Sequence, residues 1–143
     1  GHVGLAVCKV MSQLDFFVVV YDSRKDLPTM NENSYADKKI IGPYSDLGSI
    51  INEGTDNFIV IVTTGCESDK EALEKLISKD VGYIGLMGTK AKIKKIFNEA
   101  VKDGIKKDLL KKVHAPVGID INSDTPEEIA ISIAAEIIKE KNK

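Results

Sequence analysis

The chain has 143 residues, a length typical of one domain that buries a core of ordinary size. Its hydrophobic fraction of 43% and charged fraction of 29% are those of a globular protein, and a net charge of −2 provides no field that attracts nucleic acid or an anionic membrane. No apolar run approaches the roughly 20 residues that span a bilayer, and the two cysteines form neither a disulfide framework nor a zinc site. We therefore expect a reducing, cytoplasmic setting, with no nucleic-acid partner, no membrane partner and no metal site.

The first elements follow the order of a dinucleotide-binding unit. Gly1 and Gly4 open a helix whose apolar residues keep helical spacing to about residue 14. The run 16–21 predicts a fully buried strand, and Asp22 follows about 20 residues after the glycine loop, where the dinucleotide-binding pattern has an acid. The first glycine of that pattern and the strand before it would lie ahead of Gly1. We therefore expect a first strand upstream of Gly1.

Strand and helix patterns continue to alternate along the chain. Residues 25–37 are polar and predict a loop or a short irregular segment, followed by a short strand at 39–41 and a short helix that ends near Gly54. Apolar strands are predicted at 57–63 and 81–87, the first followed by a helix that Ser68 caps and the second by a helix that Gly104 stops. Strands that are apolar on both faces indicate a parallel sheet covered on both sides. The sequence predicts one domain over residues 1–143, with a Rossmann-like, doubly wound and mainly parallel α/β fold in three layers.

The last helix has a strong start signal and an unusually large apolar surface. Thr125 and Glu128 have the spacing of a capping box, with Pro126 at the first helical position. The helix that follows is mostly isoleucine and alanine, so its apolar surface is much wider than the arc of about 100° that a surface helix needs. Glu136 lies on its narrow polar stripe, and the simplest expectation is that its carboxylate is solvated. We expect this helix to bury two sides, one of them against a neighbouring element or a second copy of the chain. We therefore predict a homodimer, with Ile133 as a candidate interface residue.

Polar residues follow each predicted strand at its carboxyl end, which is where open α/β sheets bind their ligands. Free N–H groups and the helix dipole at the glycine loop favour a phosphate. Asp22 could accept a ribose hydroxyl pair or cap a turn, and Arg24 could reach a phosphate or pair with an acid. We expect these residues to line one cleft. The full candidate set for cofactor binding is Gly1, His2, Val3, Gly4, Asp22, Arg24, Thr63, Thr64, Gly85, Gly88, Thr89, Lys90, His114, Pro116, Gly118 and Asp120.

Several of these candidates have a simpler structural interpretation. The segment Gly88–Lys90 is either a second anion site or an ordinary helix start with solvated lysines. His114 either contacts a ligand or only anchors its turn. Cys8 lies on an apolar helix face and is expected in the core. Cys66 is either a reactive thiol in a loop at the edge of the site or, as we expect, an ordinary loop thiol. The sequence contains no evident pair of proton donor and base, so no catalytic residues are predicted.

Five motifs, in the same order along nearly the whole chain, resemble the Rossmann domain of the XdhC/CoxI family. The five motifs are Gly1–Gly4, Asp22–Arg24, Tyr83–Lys90, His114–Ile121 and Thr125–Ile137. Of these, the last two are specific to the family, and the first three would be weak alone. The resemblance implies an accessory protein for xanthine dehydrogenase and related molybdenum hydroxylases. Such a protein binds molybdenum cofactor (molybdopterin), supports its sulfuration with a cysteine desulfurase and delivers it to the apo-hydroxylase, as a maturation chaperone rather than an enzyme. Asn122 stands where the family pattern has glycine.

Two other functions remain open at this point. Asp22 and the incomplete dinucleotide-binding pattern at Gly1 and Gly4 favour an NAD(P)-dependent oxidoreductase domain, although we expect no second domain within residues 1–143 that could hold a substrate. The third possibility is a module without a ligand that serves assembly through its apolar last helix.

Overall fold

Helices and strands alternate along the whole chain in the computed structural model, which describes residues 1–143. The predicted α/β class is confirmed. The elements are α1 (His2–Ser12), β1 (Val19–Asp22), α2 (Pro28–Asn31), β2 (Lys38–Ile41), a 3-10 turn (Tyr44–Asp46), α3 (Leu47–Ile50), β3 (Gly54–Ile61), α4 (Cys66–Leu76), β4 (Val81–Leu86), α5 (Lys90–Lys102), α6 (Lys107–Leu110), β5 (Val113–His114) and α7 (Pro126–Lys141).

All strand pairs are parallel, but the five strands form two sheets. β1 pairs with β2, while β4 lies between β3 and β5. β1 and β3 therefore each have a neighbour on one side only. In the common order of doubly wound sheets the first strand lies between the second and the fourth. The strand expected ahead of Gly1, which stays a prediction, would fall between β1 and β3.

Helices cover both faces of the larger sheet, which gives the predicted three layers. Successive residues of a strand point to opposite faces. Tyr83 of β4 belongs to a core formed with α1 and α7, which also contains Ile133. Ile84 and Leu86 belong to the other core, which α4 and α5 complete with side chains such as Leu73. The middle layer is thus buried from both sides.

Two predictions about the first half of the chain are wrong. The strand predicted to be fully buried begins only at Val19, and it leaves Phe17 74% and Val19 43% exposed because no element covers that side. Ahead of it, Val18 N donates to the Asp37 carboxylate at 2.7 Å. The segment predicted as a loop contains the short helix α2, which starts at Pro28, a residue whose fixed φ suits the first helical position.

The start of α7 is confirmed atom by atom. Glu128 N donates to Thr125 Oγ1 at 3.2 Å and Thr125 N donates to Glu128 Oε2 at 3.1 Å, which forms the predicted capping box. Ile133, by contrast, is fully buried in the core beside α1 and is not available as an interface residue. The outward-facing isoleucines of this helix are Ile131 and Ile138. None of the helices combines the length and the apolar character needed to cross a membrane.

Candidate functional site

The N-terminus of α1 and the end of β1 enclose a small pocket. Its polar lining comes from Gly1, Gly4, Asp22, Thr29 and Asn33. It has a volume of about 20 Å³, which is room for one water-sized group. The pocket can therefore receive a single polar group of a larger ligand, such as a phosphate oxygen or a hydroxyl.

The pocket contains a buried hydroxyl and faces free amide groups. Thr29 is only 8% exposed and its Oγ1 has no hydrogen-bond partner. The first hydrogen bond of α1 runs from Leu5 N to Gly1 O at 3.0 Å, and no side chain caps the helix, so the amides before Leu5 remain free. A buried polar group without a partner costs about 1–3 kcal/mol. Together the hydroxyl and the helix N-terminus suit an anionic group such as a phosphate.

Asp22 and Arg24 form a closed ion pair beside this pocket. Asp22 Oδ1 accepts from Arg24 N at 2.9 Å and from Arg24 Nε at 3.0 Å, while Asp22 Oδ2 accepts from Arg24 Nη2 at 2.9 Å. Burial raises the pKa of the Asp22 carboxyl, but the hydrogen bonds from Arg24 outweigh it and hold the pKa below its ordinary value. Three of the roughly four acceptor positions of this carboxylate are occupied. A pair of ribose hydroxyls would have to displace Arg24, whose side chain remains 40% exposed.

A buried ion pair that the sequence did not reveal lies behind the end of β3. Asp69 is fully buried, and its Oδ1 accepts from Thr63 N at 3.0 Å and from Thr63 Oγ1 at 2.5 Å. Lys92 Nζ lies 2.5 Å from Asp69 Oδ2. The predicted cap at Ser68 is wrong because α4 begins at Cys66. One signal was present: Asp69 precedes Leu73 by four residues, and helical periodicity places it on the apolar face.

The predicted residues Lys90 and Pro116 meet at a second, wider groove of about 430 Å³ along α5. Its other lining residues are Ile93, Lys94, Phe97, Asn98 and Ala115. The Ala115–Pro116 peptide bond is cis. Thr89 Oγ1 accepts from Lys92 N at 3.2 Å, so this threonine serves as the cap of α5, as in the ordinary helix-start interpretation.

His114 faces α7 rather than either pocket. Its ring stacks on Tyr83 with centroids 4.6 Å apart, and its Nδ1 lies 3.6 Å from Glu136 Oε1. The same oxygen accepts from Tyr83 Oη at 2.6 Å and from Gly118 N at 3.2 Å. Burial and the neighbouring Glu136 raise the pKa of the Tyr83 phenol, which keeps it a donor. These contacts support the anchoring role of His114, and the expectation that Glu136 is merely solvated is wrong.

The loop after β5 is attached to α7 along its length. Ser132 Oγ donates to Ile119 O at 2.5 Å, and Ile119 N donates to Ser132 O at 3.2 Å. Gly118 has φ +96°, and a Cβ there would collide with Ser132 Oγ, so the close approach and the backbone conformation both require glycine. Gly85 is similarly enclosed, since a Cβ there would collide with a methyl group of Val117. Both glycines serve packing in this structure.

The remaining candidates are spread over the surface and the core. His2 and Thr64 are exposed, whereas Val3 packs against the core beside α7. Asp120 accepts from Asn122 N at 3.3 Å, and Asn122 has φ +56°, a conformation that asparagine tolerates better than most residues, which explains why it can replace an expected glycine.

The single cleft expected from the sequence is therefore wrong. The structure places some of the predicted residues in the pocket at α1, some in the groove along α5 and some, His114 and Gly118, against α7, while His2 and Thr64 lie on the surface. Side chains that alternate between the two faces of a sheet cannot all meet on one side of it. Cys8 is buried, as predicted, and burial raises the pKa of its thiol. No three histidine, cysteine or carboxylate side chains cluster closely enough to hold a metal ion.

Comparison with known proteins places this geometry in context. The family described as XdhC Rossmann domain matches residues 1–137. The chain is 30% identical to the uncharacterized protein YqeB of Escherichia coli (strain K12) over 145 aligned residues, and 26% identical over 143 residues to a protein of Bacillus subtilis (strain 168) described as a probable subunit of xanthine dehydrogenase. These alignments cover 99% and 100% of this chain but only 26% and 41% of the two relatives. A crystal structure described as a xanthine dehydrogenase from Bacillus halodurans superposes with a TM-score of 0.83 at 28% identity, covering 99% of this chain and 40% of the other.

Proposed function

Because this chain belongs to the XdhC family, whose Rossmann domain matches residues 1–137, we propose that it serves a xanthine dehydrogenase as an accessory domain. The relative from Bacillus subtilis and the structure from Bacillus halodurans, whose descriptions both name xanthine dehydrogenase, support this association. The chain spans less than half the length of either protein. The activity and the partners of a longer protein that contains such a domain are therefore proposed as well.

The ligand that we propose is molybdopterin, the organic part of molybdenum cofactor. Its phosphate is an anion of the kind that a helix N-terminus binds. The observation that carries the proposal is the unpartnered Thr29 hydroxyl in the pocket beside Gly1 and Gly4. We infer that one phosphate oxygen accepts from this hydroxyl, while others accept from the free amides of α1. The rest of the ligand lies outside the pocket, which has room for one small group only.

The state of Asp22 supports a pterin over a nicotinamide dinucleotide. NAD is held through its ribose hydroxyls by a carboxylate at this position. Here Arg24 occupies that carboxylate with three hydrogen bonds. A ligand that brings an anion to Arg24 leaves the ion pair intact, whereas a ribose competes with it.

We also propose the partner steps that the resemblance to the family implies. In them, the bound cofactor is sulfurated with a cysteine desulfurase and then passed to the apo-hydroxylase, so the domain acts as a carrier and not as a catalyst. A cytoplasmic location fits such a role.

Anaerobic titrations with molybdopterin, NADH and NADPH test the proposal. Thr29→Val keeps the shape of the side chain and removes only the hydroxyl, so we expect it to weaken molybdopterin binding about two- to tenfold, the effect of one hydrogen bond. Thr64→Val is the matched control, because Thr64 is an exposed threonine outside the pocket, and it should leave the affinity unchanged. Tight nicotinamide binding without molybdopterin binding would overturn the proposal, and an unaltered affinity of Thr29→Val would remove the pocket from it.

A further inference from the structure

One row of side chains on α7 remains uncovered. Ile131 and Ile138 are seven residues apart, which is about two helical turns, so they lie on the same side of the helix. They are 55% and 38% exposed, and the half-buried Ala135 lies between them. The opposite side of the helix is already filled by buried residues such as Ile133 and Ile137. Single exposed isoleucines are common, but two in register with a small residue between them form a continuous apolar strip.

The charges at the two ends of this strip have opposite signs. Exposed Glu127 and Glu128 lie in the first turn of α7, and exposed Lys139 and Lys141 lie in its last turn. Along the helix the uncovered face therefore runs from acid through two isoleucines to base.

Such a face is complementary to a copy of itself. A twofold axis that crosses α7 between residues 134 and 135 places Ile131 opposite Ile138 of the copy, because the two residues lie equally far from that point. The same axis places Glu128 opposite Lys141 of the copy. Ala135, near the axis, carries the smallest side chain of the strip and allows the two helices to approach closely.

We propose that this face is a homodimer interface, in which two α7 helices pack antiparallel around a twofold axis. Isologous contact of this kind is the commonest way in which proteins form closed oligomers. The occupant is a second copy of this chain because one helix provides both the acid and the base at positions that a twofold axis brings together. The proposal does not rest on the function proposed above.

Sedimentation velocity across a range of protein concentrations tests the interface. We expect the wild-type protein to show a monomer–dimer equilibrium, and Ile131→Asp or Ile138→Asp to raise the dissociation constant at least a hundredfold, because each substitution places two carboxylates in the symmetric contact. Ile50→Asp is the control: Ile50 is 36% exposed on α3, which packs with α4 rather than with α7. Circular dichroism establishes that each variant is folded.

A charge exchange tests the geometry without touching any apolar side chain. Glu127, the neighbour of Glu128, is the acid to exchange, because Glu128 also holds the capping box. Lys141→Glu places a carboxylate opposite Glu128 of the copy and should weaken the dimer. Adding Glu127→Lys to that variant places an ammonium group one residue from this contact and should recover part of the loss. A wild-type protein that stays monomeric at every concentration would overturn the proposal. A dimer that survives both isoleucine substitutions would do so too, since it would use another face.

Discussion

The buried ion pair of Asp69 and Lys92 should make a large contribution to the free energy of unfolding. Asp69→Ala removes the acceptor of two hydrogen bonds from Thr63 and the partner of the Lys92 ammonium group. Hydrogen bonds to a charged group contribute about 1.5–3 kcal/mol each, so the two from Thr63 account for about 3–6 kcal/mol. The Lys92 side chain is 23% exposed and recovers part of this loss by turning to solvent. We therefore expect the free energy of unfolding to fall by about 3–5 kcal/mol, the usual cost of breaking a buried ion pair.

Urea unfolding followed by far-ultraviolet circular dichroism measures this change. Lys92→Met should also destabilise the fold, because it leaves the fully buried Asp69 carboxylate without its counterion. In the double variant, Asp69→Ala with Lys92→Met, neither charge remains, so its cost should be smaller than the sum of the two single costs by about 1–3 kcal/mol. If Asp69→Ala lowers the free energy of unfolding by less than about 1 kcal/mol, or if the effects of the two single substitutions simply add, this pair does not stabilise the end of β3 as argued.

Two further predictions concern the remaining contacts of the site. Arg24→Met should raise the pKa of the Asp22 carboxyl in an NMR pH titration, because the variant loses the two side-chain hydrogen bonds and the charge of Arg24 and keeps only the bond from the backbone N of residue 24. In the wild-type protein the depressed pKa contributes stability at neutral pH that is lost as pH falls through it, below about 3.9. An unchanged pKa in the variant would contradict this. Gly85→Ala should destabilise the protein by about 1–3 kcal/mol through overpacking against Val117, whereas Gly65→Ala, with no atom within 4 Å of its added methyl group, should change the melting temperature little; equal effects of the two would count against the packing role.

The order and type of the main elements could be predicted from the sequence because their signals are local. The capping box of Thr125 and Glu128 depends on residues three positions apart, and the structure contains it as expected. Continuous apolar runs identified the strands β3 and β4, since a strand buried on both faces has no polar alternation. The alternation of such strands with helices was sufficient for the fold class.

The arrangement of the site depends on residues that are far apart in the chain, and local patterns do not contain it. Helical periodicity placed Glu136 on the polar stripe of α7, but it gave no indication that Tyr83 and Gly118 lie opposite that stripe. The pairing of Asp69 with Lys92 spans two helices and a strand, so neither residue showed its partner. For the same reason the sequence indicated which residues follow each strand but not where their side chains lie. In the structure His114 contacts Tyr83 and Glu136, whereas Pro116 lines the groove along α5.

The separation of β1 from β3 also affects how long individual backbone amide protons survive in heavy water. In a parallel sheet, alternate residues direct their amides to opposite neighbours, so half of the amides of β1 and β3 have no strand to bind. Those protons exchange with solvent while the protein stays folded, whereas amides at the centre of β4, which has strands on both sides, exchange only when the sheet opens. Among the strands of this chain, amide exchange is therefore slowest in β4. Slow exchange of the unpaired amides of β1 and β3 as well would indicate that the further strand expected between them is present.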